Sequence, residues 1–250
     1  MAQLEGKIAL VTGAASGFGA GIARAYVREG AMVAIADINI AAGQALAQEL
    51  GANAAAVACD VTNASQIRDA VAFCTEQFGV PDIVVNNAGT THRNQPMLEV
   101  DEQMFDRVFN VNVKSIYLMT MAVVPLMRQR RQGVILNIGS TAGIRPRPGL
   151  TWYNGSKGAV NLMSKSMAVE LAPDNIRVNV ICPVIGATAL LEDFMGVPDT
   201  PENRARFTAT VPLGRLCEPA DVANVAVFLA SDAAAFVTGV EMPVDGGRTI

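Results

Sequence analysis

Short runs of Val, Ile and Ala alternate with longer amphipathic stretches along all 250 residues, and this alternation leaves few folds open. "KIALVT" (7–12) precedes a helical stretch from Gly17 to about Gly30; "MVAIAD" (32–37) precedes "NIAAGQALAQEL"; "AAAVACD" (54–60) precedes "NASQIRDAVAFCTEQF". "DIVVNNAG" (82–89) leads into a long helical pattern from Asp101 to about Arg131, and "GVILNIGS" (133–140) into a helix over 152–171. "NIRVNVICP" (175–183), "EPADVANVAVFLAS" and "TGVEMPVDGG" close the series. The pattern predicts an α/β fold, a doubly wound parallel sheet with helices on both faces. Right-handed crossovers then bring the C-terminal end of every strand to one edge. No repeat or linker interrupts residues 1–250, which read as one domain.

Bulk properties exclude several functions. Hydrophobic residues make up 51% of the chain and charged ones 17%, enough apolar content for a large core. Aromatic residues are only 5%, which suits strands buried on both faces. The net charge of -4 and the lack of a basic cluster argue against nucleic acid as a partner. The densest positive run, "RQRR" (128–131), reads as a solvated helix end. Cys59, Cys74, Cys182 and Cys217 form no CxxC pair and read as reduced, buried small hydrophobes. With His92 the single histidine, no His/Cys metal site is expected. No apolar run reaches the ~18 residues of a membrane span, and the N-terminus has no signal-peptide architecture. A cytoplasmic location is the expectation.

Two stretches depart from plain alternation. Residues 184–214 hold Gly186, Gly196, Pro198, Pro201 and Pro212 among Leu, Phe and Met, and read as a long apolar loop that serves as a substrate lid. The helices over 101–131 and 152–171 are apolar on more than one side, which points to a homo-oligomer.

"VTGAASGFGAG" follows the first strand and opens the first helix, with Gly13, Gly17 and Gly19 in the spacing TGxxxGxG. Glycines here allow a tight turn and a close approach to a pyrophosphate, whose charge is favoured at a helix N-terminus. Ser16 and Phe18 belong to the same cradle. Asp37 ends the second strand 18 positions after Gly19, close to the ~20 expected for an acid that binds the adenosine ribose. A carboxylate there would repel the 2′-phosphate of NADP by ~4 kcal/mol per charge pair near 4 Å at an effective dielectric of 20, so NAD is the expected cofactor. A helix cap is the other role open to Asp37. Asp60 and Val61 are placed to meet the adenine edge, with an N-cap as the competing role for Asp60. Asn87, Ala88 and Gly89 in "NNAG" close the fourth strand on the same edge, either against the cofactor or in an ordinary turn.

Tyr153 and Lys157 lie four residues apart in "TWYNGSKGAV" and share a helical face. Oxidising an alcohol needs a base for the hydroxyl proton while hydride leaves. A free phenol, with a pKa of ~10, is a poor base near neutrality. An ammonium within ~4–6 Å lowers such a value by ~1–3 units, the size required. Lys157 also has the reach to donate to the nicotinamide ribose and hold the cofactor. A surface pair worth ~0.2–0.5 kcal/mol is the bland alternative. Ser140 ends the fifth strand, either as a hydrogen-bond donor to the substrate oxygen or as a generic strand-end serine.

The ordered set of TGxxxGxG (12–19), "NNAG", Ser140, Tyr153-x-x-x-Lys157, "IRVNVICP" and the final "TGVEMPVDGG" resembles the classical short-chain dehydrogenase/reductase family over essentially the whole chain. The resemblance implies a single Rossmann-like domain of about seven strands, a nicotinamide cofactor, usually a homotetramer, and a Ser140–Tyr153–Lys157 active site. It implies that Asn112, in "NVNVKSIY", holds a water beside Lys157; a buried amide bonded to backbone is the alternative. It implies that Pro183 and Thr188 lie by the nicotinamide. The family usually has Gly after Cys182-Pro183, whereas Val184 stands here, and valine does not adopt positive φ easily.

The activity expected is NAD(H)-dependent hydride transfer to or from a secondary alcohol or ketone, a polyol, sugar or cyclic alcohol among them. A 3-oxoacyl-carrier-protein reductase is the enzyme rival, and a dinucleotide-sensing scaffold the non-enzyme one. "TAGIRPRPGLTW" is expected to line the substrate entrance, with Arg145 and Arg147 either meeting an acidic substrate or pairing structurally. Trp152, Phe194 and Met195 suit an apolar wall or lid packing, and His92 a loop surface.

Overall fold

β-branched residues dominate the strand runs because their stiff side chains suit a pleated, two-faced surface. In a computed structural model that describes residues 2–250, these runs form β1 (Ile8–Thr12), β2 (Met32–Asp37), β3 (Ala54–Ala58), β4 (Ile83–Asn86), β5 (Gly133–Ile138), β6 (Ile176–Pro183) and β7 (Glu241–Val244). They make one sheet in the order β3-β2-β1-β4-β5-β6-β7, with every neighbouring pair parallel. The helices are α1 (Gly17–Arg28), α2 (Ile40–Leu50), α3 (Ala64–Gln77), α4 (Glu102–Phe109), α5 (Ser115–Arg130), α6 (Thr151–Leu171), α7 (Leu191–Met195), α8 (Pro201–Thr208) and α9 (Pro219–Ala230). This is the single-domain, Rossmann-like architecture.

The period-2 alternation of side chains divides the core into two layers. Val11, Val33, Ile35, Val85, Leu136 and Ile181 face α1, α2 and α9. Leu10, Ala34, Val84 and Ile135 at adjacent positions, with Val178 of β6, face α3, α5 and α6. Because β1 pairs with β2 on one side and β4 on the other, the connections turn in opposite directions beyond their C-terminal ends and leave a crevice there. A buried chain of amides holds α6 against the sheet: Asn86 Nδ2 donates to Asn137 Oδ1 at 2.8 Å, and Asn137 Nδ2 to Ser164 Oγ at 2.8 Å.

The long helical pattern is not one regular α-helix. A π-helical turn over Asn110–Lys114 joins α4 to α5, a distortion often found at functional sites. By length and mean hydropathy the continuous segment Glu102–Arg130 would qualify as a membrane span, yet Met119, Val123, Val124 and Met127 are buried against the sheet and α3. Tyr117 and Met121 on α5, and Leu162 and Val169 on α6, are exposed large hydrophobics. The arginines at the end of α5 are paired rather than merely solvated. Arg128 meets Asp174 at 2.6 Å, and Arg130 meets the buried carboxylate of Asp82 at 2.6 Å. All four cysteines are free and buried.

Residues 184–214 are not a plain loop but carry α7 and α8. Val184 needs no special conformation: it has no positive φ, is buried, and extends the β6–β7 pairing by donating its N–H to Val244 O at 3.1 Å.

Candidate active site

One cleft of about 1090 Å³ runs along the C-terminal edge of the sheet. Its walls hold Gly13, Ser16, Gly17, Phe18, Asp37, Asp60, Val61, Asn87, Ala88 and Gly89 at one end. Ser140, Tyr153, Lys157, Pro183 and Thr188 stand at the other. Two expected residues, Gly19 and Asn112, are not on the cleft wall.

The glycines are required sterically. A Cβ on Gly13, whose φ is +61°, would lie 2.8 Å from Ala88 Cα; one on Gly19 would lie 2.3 Å from Gly13 O and 2.5 Å from Asn87 Nδ2. Gly19 therefore works beneath the loop, letting α1 pack against it, rather than touching a ligand. Asn87 donates from Nδ2 to Thr12 O and Gly13 O, both at 2.9 Å, and so ties the loop to the end of β4. Phe18 packs on Gly186, and Thr188 Cγ2 would stand 3.5 Å from a Cβ on Gly17, so the start of the 184–214 segment faces the glycine loop across the cleft.

Asp37 braces this cradle: Oδ2 accepts from Ala15 N at 2.9 Å and Oδ1 from Asn39 N at 2.8 Å. It is not the cap of α2, because Asn39 fills that role by accepting from Ala42 N. Asp60 is not a cap either. Its Oδ1 accepts from Thr62 N at 2.9 Å and Thr62 Oγ1 at 2.7 Å, while Asn63 caps α3. Arg24, which lies within α1 just beyond the glycines and belongs to no motif, reaches the same end of the cleft; Glu49 holds it at 2.7 and 2.8 Å. A glycine-lined loop at the N-terminus of α1, backbone N–H groups at a helix start and a carboxylate at the end of β2 fit a dinucleotide.

At the other end, one turn of α6 places Tyr153 and Lys157 on the buried face. Lys157 Nζ donates to Ile138 O at 2.8 Å and lies 5.9 Å from the centre of the Tyr153 ring. Phe194 packs edge-on against that ring at 5.0 Å. Burial pushes the Tyr153 phenol up to about 12, with the Ser140 hydroxyl and the Arg147 charge opposing the rise. Burial pulls the Lys157 ammonium down to about 8. Burial dominates at the phenol, and the groups that lower it are Ser140 and Arg147 rather than the expected Lys157. Ser140 Oγ accepts from Ala142 N at 3.1 Å, which orients the hydroxyl at the end of β5.

Asn112 sits in the π turn, where Oδ1 accepts from Thr90 N at 2.8 Å and Nδ2 donates to Thr90 O at 2.9 Å and Ser156 Oγ at 3.0 Å. A methyl group on Gly89 would lie 3.5 Å from Asn112 Oδ1 and 3.6 Å from Lys157 Nζ, so glycine keeps open the gap between them.

Other expectations need correction. Trp152 turns away from the cleft, stacking edge-on to Phe105 at 5.5 Å and donating to Met97 O at 3.1 Å, because neighbouring positions on a helix point about 100° apart. Met195 is buried in the core beneath the cleft wall, whereas Phe194 does line it. His92 is no surface loop residue: it is buried, its Nδ1 lies 2.8 Å from Arg93 O, and its Nε2 has no partner. Arg145 and Arg147 line the cleft as expected, joined by Arg107 from α4 and Arg248 beside the C-terminus, which no local pattern marked. No cluster of metal-ligating side chains occurs among the described residues.

A family model described as enoyl-(acyl carrier protein) reductase matches residues 13–249. The chain is 50% identical to a 4-formylbenzenesulfonate dehydrogenase of Comamonas testosteroni over 251 residues, covering 99% of this chain and 100% of that one. It is 40% identical to a 3-oxoacyl-[acyl-carrier-protein] reductase of Thermotoga maritima, covering 99% and 100%. A crystal structure of a 3-ketoacyl-(acyl-carrier-protein) reductase from Brucella melitensis, complexed with NADH, superposes with a TM-score of 0.94 at 44% identity, covering 99% and 100% of the two chains.

Proposed function

The chain belongs to the classical short-chain dehydrogenase/reductase family, NAD(H)-dependent enzymes acting on CH–OH groups, and from that premise we propose that Tyr153 exchanges the hydroxyl proton of a small alcohol or ketone. Bound NAD supplies the hydride acceptor for oxidation, and NADH the donor for reduction. The observation that carries the reading is the meeting of Ser140, Tyr153 and Lys157 on the wall of the same cleft as the glycine loop.

Ser140 donates to the substrate oxygen, and Tyr153 Oη gives that oxygen a proton in reduction or takes one in oxidation. Lys157 binds the nicotinamide ribose and moves protons between Tyr153 and the gap beside Gly89, where Asn112 Oδ1 completes a polar wall that a water can bridge. Gly13, Ser16, Gly17 and Phe18 hold the pyrophosphate end. Asp37 binds the adenosine ribose while keeping its bonds to Ala15 and Asn39, and Asp60 and Val61 border the adenine. Asn87, Ala88 and Gly89 form the floor beside β4, and Pro183 and Thr188 face the nicotinamide. Residues 184–214 act as the lid.

With the phenol raised to about 12, Tyr153 rests as an acid, and the fraction able to act as a base rises tenfold per pH unit below that value. Oxidation is therefore expected to accelerate with a slope near one in log kcat/KM as pH rises from 6 to 8, while reduction gains nothing. Profiles measured in both directions test this; a flat oxidative profile overturns it.

A second reading has a specific basis. The relative with 50% identity is named for an aldehyde substrate, so a primary aryl alcohol and its aldehyde join secondary alcohols and ketones as candidates. The acyl-carrier-protein rival remains in the comparison, and because a similar reductase is complexed with NADH, cofactor choice alone does not separate it. Turnover of 3-oxoacyl thioesters against small alcohols does. The exposed apolar residues of α5 and α6 support a homo-oligomer, a tetramer by family expectation. Light scattering is expected to give about four chain masses, and a monomer would refute it.

A further inference from the structure

The charges along the cleft are segregated. Its two carboxylates, Asp37 and Asp60, stand beyond β2 and β3 at the adenosine end, and Arg24 there is neutralised by Glu49. The opposite end holds Arg107, Arg145, Arg147 and Arg248 and no acidic side chain. A protein whose net charge is -4 has thus placed four guanidinium groups along the cleft that holds Tyr153, with Arg147 near enough to act on the phenol. Arg147 is half-buried, with its guanidinium carbon 4.8 Å above the centre of the Phe207 ring. Among the described residues it has no carboxylate partner, and Arg145 spends its Nη1 on Arg248 O at 3.0 Å. Burial and the charge of Arg248 both destabilise the Arg147 cation, which lies close enough to feel Tyr153. A desolvated positive charge held near a like charge is unfavourable unless an anion joins it. The planar fork of arginine suits an oxyanion that accepts two parallel hydrogen bonds.

We infer that the substrate carries an anionic group, a carboxylate or a sulfonate, which pairs with Arg147 and Arg248 while its carbinol or carbonyl carbon faces Ser140 and Tyr153. The inference rests on the placement of the reacting carbon proposed above and adds the chemical class of the substrate. Phe207 of α8, stacked under Arg147, supports the guanidinium from the 184–214 segment.

The test uses inert ligands that cannot be turned over, so that it reads the anion subsite apart from catalysis. Calorimetric affinities of the NADH-saturated protein are compared for 4-methylbenzenesulfonate, 4-methylbenzoate and the neutral methyl 4-methylphenyl sulfone. A charged hydrogen-bonded pair predicts at least about tenfold tighter binding of an anion than of the sulfone. Arg147→Gln is expected to remove most of that advantage and Arg248→Gln part of it, with melting temperature monitored for each variant. Binding of both anions marks a shared oxyanion site, and binding of one alone fixes which class it takes. If neither anion binds more tightly than the sulfone to the unmodified protein, or if both variants keep the advantage, the inference fails. The Tyr153 reading is judged separately, by turnover.

Discussion

Tyr153→Phe is expected to lower kcat in both directions by roughly a thousandfold, within the range that a positioned acid–base group contributes. The substitution removes only the hydroxyl. The phenyl ring keeps its edge-on contact with Phe194 at 5.0 Å and its burial, so the fold and the cleft should survive. Ser140 keeps the bond it accepts from Ala142 N, and Lys157 the one it donates to Ile138 O. NADH affinity, followed by fluorescence titration, should therefore stay largely intact while nicotinamide oxidation all but ceases. Turnover within tenfold of the unmodified enzyme would remove Tyr153 from the proton-transfer step.

Asp37→Ala is expected to raise the ratio of NADPH to NADH kcat/KM at least about tenfold. On the proposed placement of the adenosine ribose the carboxylate would adjoin a 2′-phosphate, and ~4 kcal/mol of repulsion per charge pair near 4 Å leaves ample margin for screening. The change should relax the preference rather than invert it. No free cation replaces the lost acid, because Arg24 is clamped by Glu49 and Ile38 follows Asp37 in the chain. Activity with NADH should also fall, since Ala15 N and Asn39 N lose their acceptor and the glycine loop loosens. An unchanged cofactor ratio in steady-state assays would refute the role given to Asp37.

What could be read beforehand followed how local each feature is. Strand and helix positions came from periodicities of 2 and 3.6, which hold within a few residues. The need for glycine at 13 came from backbone geometry, although the partner that enforces it, Ala88, lies just beyond the end of β4. The π turn at Asn110–Lys114 escaped notice because its hydrogen bonds shift by one residue without altering the apolar pattern. Two helices inside 184–214 were hidden by prolines, which begin helices as readily as they end them: Pro201 opens α8 behind the Thr200 cap. The warning raised by Val184 came from comparison with a family habit, and pairing with β7 made it harmless.

The linear order of residues by itself determined the alternating layers, the glycine loop and the shared face of Tyr153 and Lys157, since each depends on dihedral preferences and short spacings. Tertiary structure alone decided that burial dominates at the phenol, that His92 is buried, and that arginines from residues 107, 145, 147 and 248 line one cleft. The reason is physical: burial and electrostatic fields are set by segments far apart in the chain, and only packing brings them within the few ångströms over which they act.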